Sequence, residues 1–78
     1  MTDVIAALDS VVLTTDLPAY HLQAGDVGTV TLVHRHGGYE VRFATLDGET
    51  VAEVTLSLDQ VRPVGPREIA HVRAVPAS

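Results

Sequence analysis

The sequence predicts an all-β domain of five short strands. Valine and threonine, the β-branched types that suit a pleated surface, account for 13 and 8 of the 78 residues. Apolar and polar residues alternate along several runs of strand length. Glycines, prolines and an Asp-Gly pair interrupt these runs at short intervals, which is typical of antiparallel strands joined by turns.

Size, cysteine content and charge limit what such a chain does. With 78 residues, of which 46% are hydrophobic, it has material for one small packed domain. The absence of cysteine excludes disulfides and zinc-thiolate sites. There is no signal-peptide pattern and no apolar run of about 20 residues, so we expect a soluble, cytoplasmic protein without membrane contact. The net charge of −5 disfavours nucleic-acid binding, because an acidic body repels phosphate.

The first strand is predicted over residues 9–14, a β-branched run that ends before a proline-containing segment. Residues 15–26 then form a long loop with its own packing, in which Leu17 and Leu22 are the expected anchors.

The second strand is predicted over residues 27–34. Val30, Leu32 and His34 are expected to share one face, because side chains alternate along a strand. The opposite face then carries Val27, Thr29, Thr31 and Val33.

The third and fourth strands, residues 39–44 and 50–56, are predicted to be half buried. Their inward residues are expected to be Tyr39, Val41 and Phe43, followed by Ala52, Val54 and Leu56. Glycines that accept positive φ angles mark the connections. The residues assigned to turns are Gly25, Asp26, Gly37, Gly38, Asp47 and Gly48, and Gly28 is assigned to a bend within the second strand.

Residues 57–60 are predicted to form one helical turn opened by a serine cap, and residues 61–64 a last short strand. This order of elements is that of a small five-stranded SH3-like barrel with a long first loop. An OB fold needs a helix between the third and fourth strands, and residues 45–50 leave no room for one.

The barrel domain is therefore expected to occupy residues 1–64, followed by a C-terminal tail over residues 65–78. Ile69, Val72 and Val75 are spaced three apart, a weak helical pattern. The tail is expected to be either a short helix or flexible.

Several stretches also carry a resemblance to a known family. They are Asp9 to Pro18 (DSVVLTTDLP), Leu22 to Val30 (LQAGDVGTV), Tyr39-Glu40-Val41 with Phe43, Asp47 to Thr50 (DGET), and Val61 to Val64 (VRPV). In this order and spacing, over residues 8–64, the sequence resembles the small bacterial proteins grouped as domain of unknown function 4926. The resemblance implies a compact β protein without an assigned reaction, encoded beside a larger uncharacterised protein like an antitoxin beside its toxin. It implies a protein partner, and it carries over no functional residue.

Residues 25–30 (GDVGTV) are also similar to the KOW pattern of ribosomal and transcription-elongation proteins. Turn geometry explains both glycines without a ligand. An RNA-binding version is expected to be basic and to expose aromatic side chains, whereas this chain is acidic and has three aromatic residues. A KOW-like RNA-binding module is therefore the first alternative.

Three histidines raise the second alternative, a small metal-binding protein. His34 and His36 share a face if their strand continues, and His21 in the long loop can approach them. No obvious carboxylate completes the set, so no metal site is predicted. Nothing resembling a nucleophile elbow surrounds Ser10 or Ser57, and a barrel this small is filled by its own side chains. No catalytic residue, enzymatic activity or cofactor is predicted.

Binding of a protein partner is the main functional prediction. Tyrosines suit interfaces because they join a large apolar body to a polar tip, and loop leucines lack an alternation that would bury them all. An acidic surface around them suits a basic partner, such as a nuclease toxin. A free strand edge can also accept a second copy of the chain. The residues assigned to partner contact are Leu17, Tyr20, Leu22, Tyr39 and Leu46.

Overall fold

A computed structural model describes residues 5–76 and contains one antiparallel sheet of five strands. The elements are β1 (Ser10–Leu13), a 3₁₀ helix (Pro18–Tyr20), β2 (Val27–Val33), β3 (Tyr39–Ala44), β4 (Thr50–Leu56) and β5 (Val61–Pro63). The prediction of an all-β domain with five strands is confirmed, and each strand lies within its predicted range. No helix in residues 5–76 has the length and apolarity needed to span a bilayer.

The strands are arranged in the order β4-β3-β2-β1-β5, with β1 pairing β2 on one side and β5 on the other. This is the order expected of an SH3-like meander. The sheet is open, because within the described residues β4 and β5 end the order without pairing to each other. Each of these two strands therefore keeps one free edge.

The core lies on one face of this sheet, which we call the inner face. In β3 the alternation is complete, with Tyr39, Val41 and Phe43 all buried as predicted. The other members of the core cluster are Val11, Leu13, Leu22, Val30, Val54, Leu56 and Val61. Ala52, predicted to face inward, is partly buried against this cluster.

The predicted faces of β2 hold only in its first half. Val30 pairs with Val41 and is buried, but the register then shifts, so that Leu32 pairs with Glu40. An extra residue in one strand reverses the side-chain alternation beyond it. Leu32 is consequently half exposed, and the prediction that it shares the inner face with Val30 is wrong.

Two short segments differ from the sequence-based expectation. Residues 57–60 form a single hydrogen-bonded turn, in which the Gln60 N–H donates to the Ser57 carbonyl at 3.1 Å. The Ser57 hydroxyl donates to the Asp59 carboxylate at 2.5 Å rather than capping a helix. The 3₁₀ helix lies in the long loop instead, where Pro18 supplies the backbone angle that opens it.

The tail forms no helix over residues 65–76. The spacing of Ile69 and Val72 would need an apolar surface to pack against, but Ile69 is 95% exposed and Val72 is also exposed. The short helix considered for the tail is therefore wrong for these residues. Polar contacts of Glu68 and Arg73 with the domain hold this segment in place.

Candidate interaction site

The five residues assigned to partner contact are divided between surface and core. Leu46 is 91% exposed, Tyr20 is exposed and Leu17 is partly buried. Leu22 and Tyr39 are only 5% and 9% exposed, so neither is available to another chain in this structure. That assignment is corrected for both residues.

The burial of Leu22 and Tyr39 has a local cause in each case. Leu22 closes the long loop through a two-way backbone bridge with Leu17, which places its side chain against the core. Tyr39 begins β3 on the same face as Val41 and Phe43. The alternation of residues in β3 predicts from the sequence that Tyr39 faces the core.

A groove of about 570 Å³ lies at the end of the sheet that carries the β3–β4 turn. The domain side is formed by the start of β2, the end of β3 and the turn, and the tail side by residues 70–75. Apolar side chains, including Val27, Phe43 and Val51, line much of it, and Leu46 stands at its border. We call this feature the tail groove. It brings together Leu22 and Leu46, whereas Tyr39 begins β3 at the other end of the sheet.

The turn that carries Leu46 is held by its own hydrogen bonds. The Thr45 N–H donates to the Glu49 carbonyl at 2.8 Å, and the Glu49 N–H donates to the Thr45 hydroxyl oxygen at 3.0 Å. The Thr45 hydroxyl donates to the Asp47 carboxylate, which lowers the pKa of Asp47. Leu46 is thus presented on an ordered turn beside an ionised carboxylate.

The glycines assigned to turns have the backbone conformation that this role requires. The φ angles of Gly25, Gly37, Gly38 and Gly48 lie between 97° and 98°, a region that favours glycine. Gly28 is different, because its φ is not positive and it is buried in β2. A Cβ atom at Gly28 would lie 2.6 Å from Val41 Cγ1, so this glycine makes room for the core.

Arg73 joins the tail to the domain beside the groove. Its Nε donates to Asp26 Oδ1 at 2.8 Å, and its Nη2 donates both to Asp26 Oδ2 and to the His21 carbonyl, the latter at 2.9 Å. Partial burial opposes ionisation of Asp26, but the hydrogen bonds from Arg73 and from the Gln23 N–H offset it, so the pKa of Asp26 is lowered. The sequence predicts a turn at Asp26 and gives no signal for Arg73. The two residues are 47 positions apart, and no local pattern links them.

A second contact holds the beginning of the tail. Arg62 in β5 donates two hydrogen bonds to the Glu68 carboxylate, at 2.7 and 2.6 Å, and the Gly65 N–H donates a third at 2.5 Å. These contacts lower the pKa of Glu68 to about 2. The pair is exposed to solvent, so salt weakens it.

We expect the Glu68 carboxyl to titrate at about pH 2 rather than near the ordinary value of 4.5. Because the folded-state pKa is depressed, the contact with Arg62 stabilises the folded form fully above about pH 4.5 and is lost as the pH falls toward 2. The side-chain carboxyl carbon shift of Glu68, followed by NMR over this range, measures the midpoint. In an Arg62→Ala variant the midpoint should return toward the ordinary value; an unchanged midpoint would mean that Arg62 is not the cause.

Of the histidines considered as metal ligands, His34 contacts a carboxylate. His34 Nε2 lies 3.0 Å from Glu40 Oε2, and the Thr55 hydroxyl donates to the same carboxylate oxygen. The Thr55 hydroxyl and then His34 lower the pKa of Glu40. Across residues 5–76, no group of three or more histidine, aspartate or glutamate side chains is placed to hold a metal ion.

The fold and the tail groove together define a small all-β domain of SH3-like strand order with an open, largely apolar groove at the end of the sheet that carries the β3–β4 turn. The family model described as Domain of unknown function (DUF4926) matches residues 7–63. This range covers more than half of the chain, so the protein belongs to that family. No curated protein and no solved structure matches the sequence. The matched range contains every strand, whereas Arg73 and the rest of the tail lie beyond it.

Proposed function

We propose that this chain is a non-enzymatic protein-interaction domain that binds a protein partner at the tail groove. The observation that carries the proposal is the position of Leu46, which is 91% exposed at the border of an apolar groove and is held by an ordered turn. A large apolar side chain presented in this way favours burial against another chain, since burying a leucine stabilises a contact by about 1.5–3 kcal/mol.

Charge favours a basic partner. The chain carries ten acidic residues against five arginines. Asp26 and Asp47 line the groove, and Asp47 and Glu49 follow the exposed Leu46 on its turn. A positively charged surface would be attracted to this region, and a nucleic acid would be repelled. These features fit an antitoxin-like role in the bacterial cytoplasm, in which the domain covers a basic surface of a neighbour-encoded toxin.

Four of the carboxyl groups are suited to accepting positive charge rather than to acting as general acids. For each described carboxyl group with a clear shift, the pKa lies below its ordinary value; the groups are Asp26, Glu40, Asp47 and Glu68. A general acid at neutral pH needs a raised pKa. The two groups beside the groove, Asp26 and Asp47, are thus suited to holding a positive charge.

The test compares one substitution at two exposed leucines. Leu46 stands at the groove, and Leu58 lies at the opposite end of the sheet, in a second concavity of about 360 Å³. The neighbour-encoded protein is expressed alone and with the tagged full chain, growth is recorded, and the affinity of the purified pair is measured. We expect Leu46→Asp to weaken binding about tenfold or more and to restore toxicity, and Leu58→Asp to leave both unchanged.

Circular dichroism of both variants controls for folding. Two results would overturn the proposal. In the first, the neighbour-encoded protein neither binds the chain nor is neutralised by it, and the tagged chain recovers only further copies of itself. The other is equal loss of binding in the Leu46 and Leu58 variants, which would remove the groove as the contact surface.

A further inference from the structure

Three acceptor atoms of the domain converge on one guanidinium group. Both carboxylate oxygens of Asp26 and the carbonyl oxygen of His21 accept hydrogen bonds from Arg73. We call this set, the Asp26 carboxylate with the His21 carbonyl, the arginine socket. A planar guanidinium matches such a set because it donates several hydrogen bonds in fixed directions, which an ammonium group does not.

The arginine socket is built by the domain and not by the tail. The Gln23 N–H donates to Asp26 Oδ2 at 2.9 Å, and the Leu13 N–H donates to the Asp26 carbonyl at 2.8 Å. The His21 N–H donates to the Pro18 carbonyl at 3.2 Å within the 3₁₀ segment. Each acceptor is therefore positioned by backbone contacts that do not involve Arg73.

The arginine socket and the arginine that occupies it lie on different sides of the end of the range that the family model matches. His21 and Asp26 lie inside the matched range of residues 7–63, whereas Arg73 lies outside it. The socket residues thus lie within the stretch that the family model matches, and the side chain that fills the socket lies beyond it.

The tail forms one side of the groove and leaves the space beside it open. Arg73 is mostly buried in the socket, but Ile69 is 95% exposed and Val72 is also exposed. With the tail in place, the groove still has a volume of about 570 Å³ and leaves Leu46 uncovered. A segment that supplied the guanidinium and also covered Leu46 would bury more apolar surface than the tail does.

We propose that the arginine socket is the recognition site for an arginine in an extended segment of the partner, and that Arg73 is its intramolecular competitor. This inference rests on the proposed function and specifies its partner chemistry. The partner's arginine replaces Arg73 between Asp26 and His21, and apolar residues beside it cover Leu46. The apparent dissociation constant for the partner is then the intrinsic constant divided by the fraction of molecules whose socket is empty.

The first experiment tests whether the socket exchanges its occupant. A fluorescein-labelled peptide with the sequence of residues 65–78 is titrated with the full-length wild type, with Arg73→Ala and with Arg73→Ala/Asp26→Asn, and anisotropy is recorded. We expect the peptide to bind Arg73→Ala about tenfold or more tightly than the wild type, because the internal competitor is gone. The double variant, and a peptide with lysine in place of arginine at position 73, should bind weakly.

Arg67→Ala is the matched control, because it removes the same type of side chain from the same tail outside the socket. It should bind the peptide as the wild type does. The proposal would be overturned if the wild type and Arg73→Ala bound the peptide with equal affinity. It would also be overturned if the double variant kept its circular dichroism spectrum and still bound the peptide fully. A wild-type dimer that Arg73→Ala converts to monomer in light scattering would overturn it as well, since the tail would then fill the socket of a second copy.

The second experiment uses the neighbour-encoded partner and separates this inference from the proposed function. We expect Arg73→Ala to tighten partner binding and Asp26→Asn to weaken it. If both variants bind like the wild type while Leu46→Asp does not, the groove is the interface and the socket is not part of it. If no variant or wild type binds that partner, the proposed function fails, and the peptide titration still decides whether the socket exchanges arginines.

Discussion

Replacing Leu13 by alanine is expected to lower the free energy of unfolding by about 2–5 kcal/mol. Leu13 is 1% exposed and lies in β1, the strand that pairs with both β2 and β5. Alanine would leave a cavity there that the two neighbouring strands cannot fill without disturbing their pairing. A domain of this size has a total stability of only about 4–12 kcal/mol, so the substitution removes a large share of it. Urea denaturation followed by circular dichroism measures the loss.

Leu46→Ala is the matched control for that experiment. It removes the same atoms from a side chain that is 91% exposed, so the change in the free energy of unfolding should stay within about 0.5 kcal/mol. If the two leucine substitutions destabilise the protein equally, Leu13 is not at the centre of the core and the packing described for β1 is wrong. The same control shows that losses of binding at Leu46 do not come from unfolding.

The strands could be predicted because their signals are local. A period-2 pattern such as that of β3 specifies both the extended backbone and the buried face within six residues. Because short turns join most of the strands, consecutive strands are expected to lie side by side in the sheet. The order of the strands could therefore be predicted too. The register shift in β2 could not be predicted in this way, because Leu32 continues the alternation in the sequence. Only its pairing with Glu40 shows that it has moved to the outer face.

Residues of the candidate site could be predicted where neighbouring residues in the sequence determine their exposure, but not where distant segments meet. Leu46 was identified because it stands on an Asp-Gly turn with no strand pattern to bury it. Leu22 is predicted both to anchor the long loop and to contact a partner, and its bridge with Leu17 and its place in the core agree with the first of these predictions. The contact of Arg73 with Asp26 joins segments that meet only after the sheet has formed. No residue pattern near either position indicates the other, so the socket is visible only in the folded structure.

Strand β2 links the socket, the groove and the core. Asp26 precedes it directly, Val27 lines the groove, and the next residue, Gly28, packs against the floor formed by Phe43. A change that shifts the start of this strand would move the carboxylate of the socket and the groove lining together. Substitutions at the start of this strand are therefore expected to change both the stability of the fold and the binding of a partner. Substitutions at Leu46, in contrast, are expected to change binding alone.

Gly28→Ala is expected to destabilise the fold by about 1–3 kcal/mol, the usual cost of overpacking a well-filled core. The new Cβ would lie 2.6 Å from Val41 Cγ1 and 2.9 Å from Phe43 Cε1, distances at which these buried side chains or the backbone of β2 have to move. Chemical denaturation measures the cost, and the peptide titration shows whether the socket moves with the strand.

A double-mutant cycle identifies the cause of that loss. Val41→Ala removes the methyl group that the added Cβ would overlap, so the double variant should be more stable than the sum of the two single losses predicts, by about 0.5 kcal/mol or more. Combining Gly28→Ala with Leu58→Ala, at the other end of the sheet, should give additive losses. If Gly28→Ala costs nothing, packing does not explain this glycine, and the GDVGTV stretch regains its alternative interpretation as a binding motif of the KOW type. If the loss is large and relieved by Val41→Ala, the glycine is there because two core side chains occupy the space that a Cβ would need.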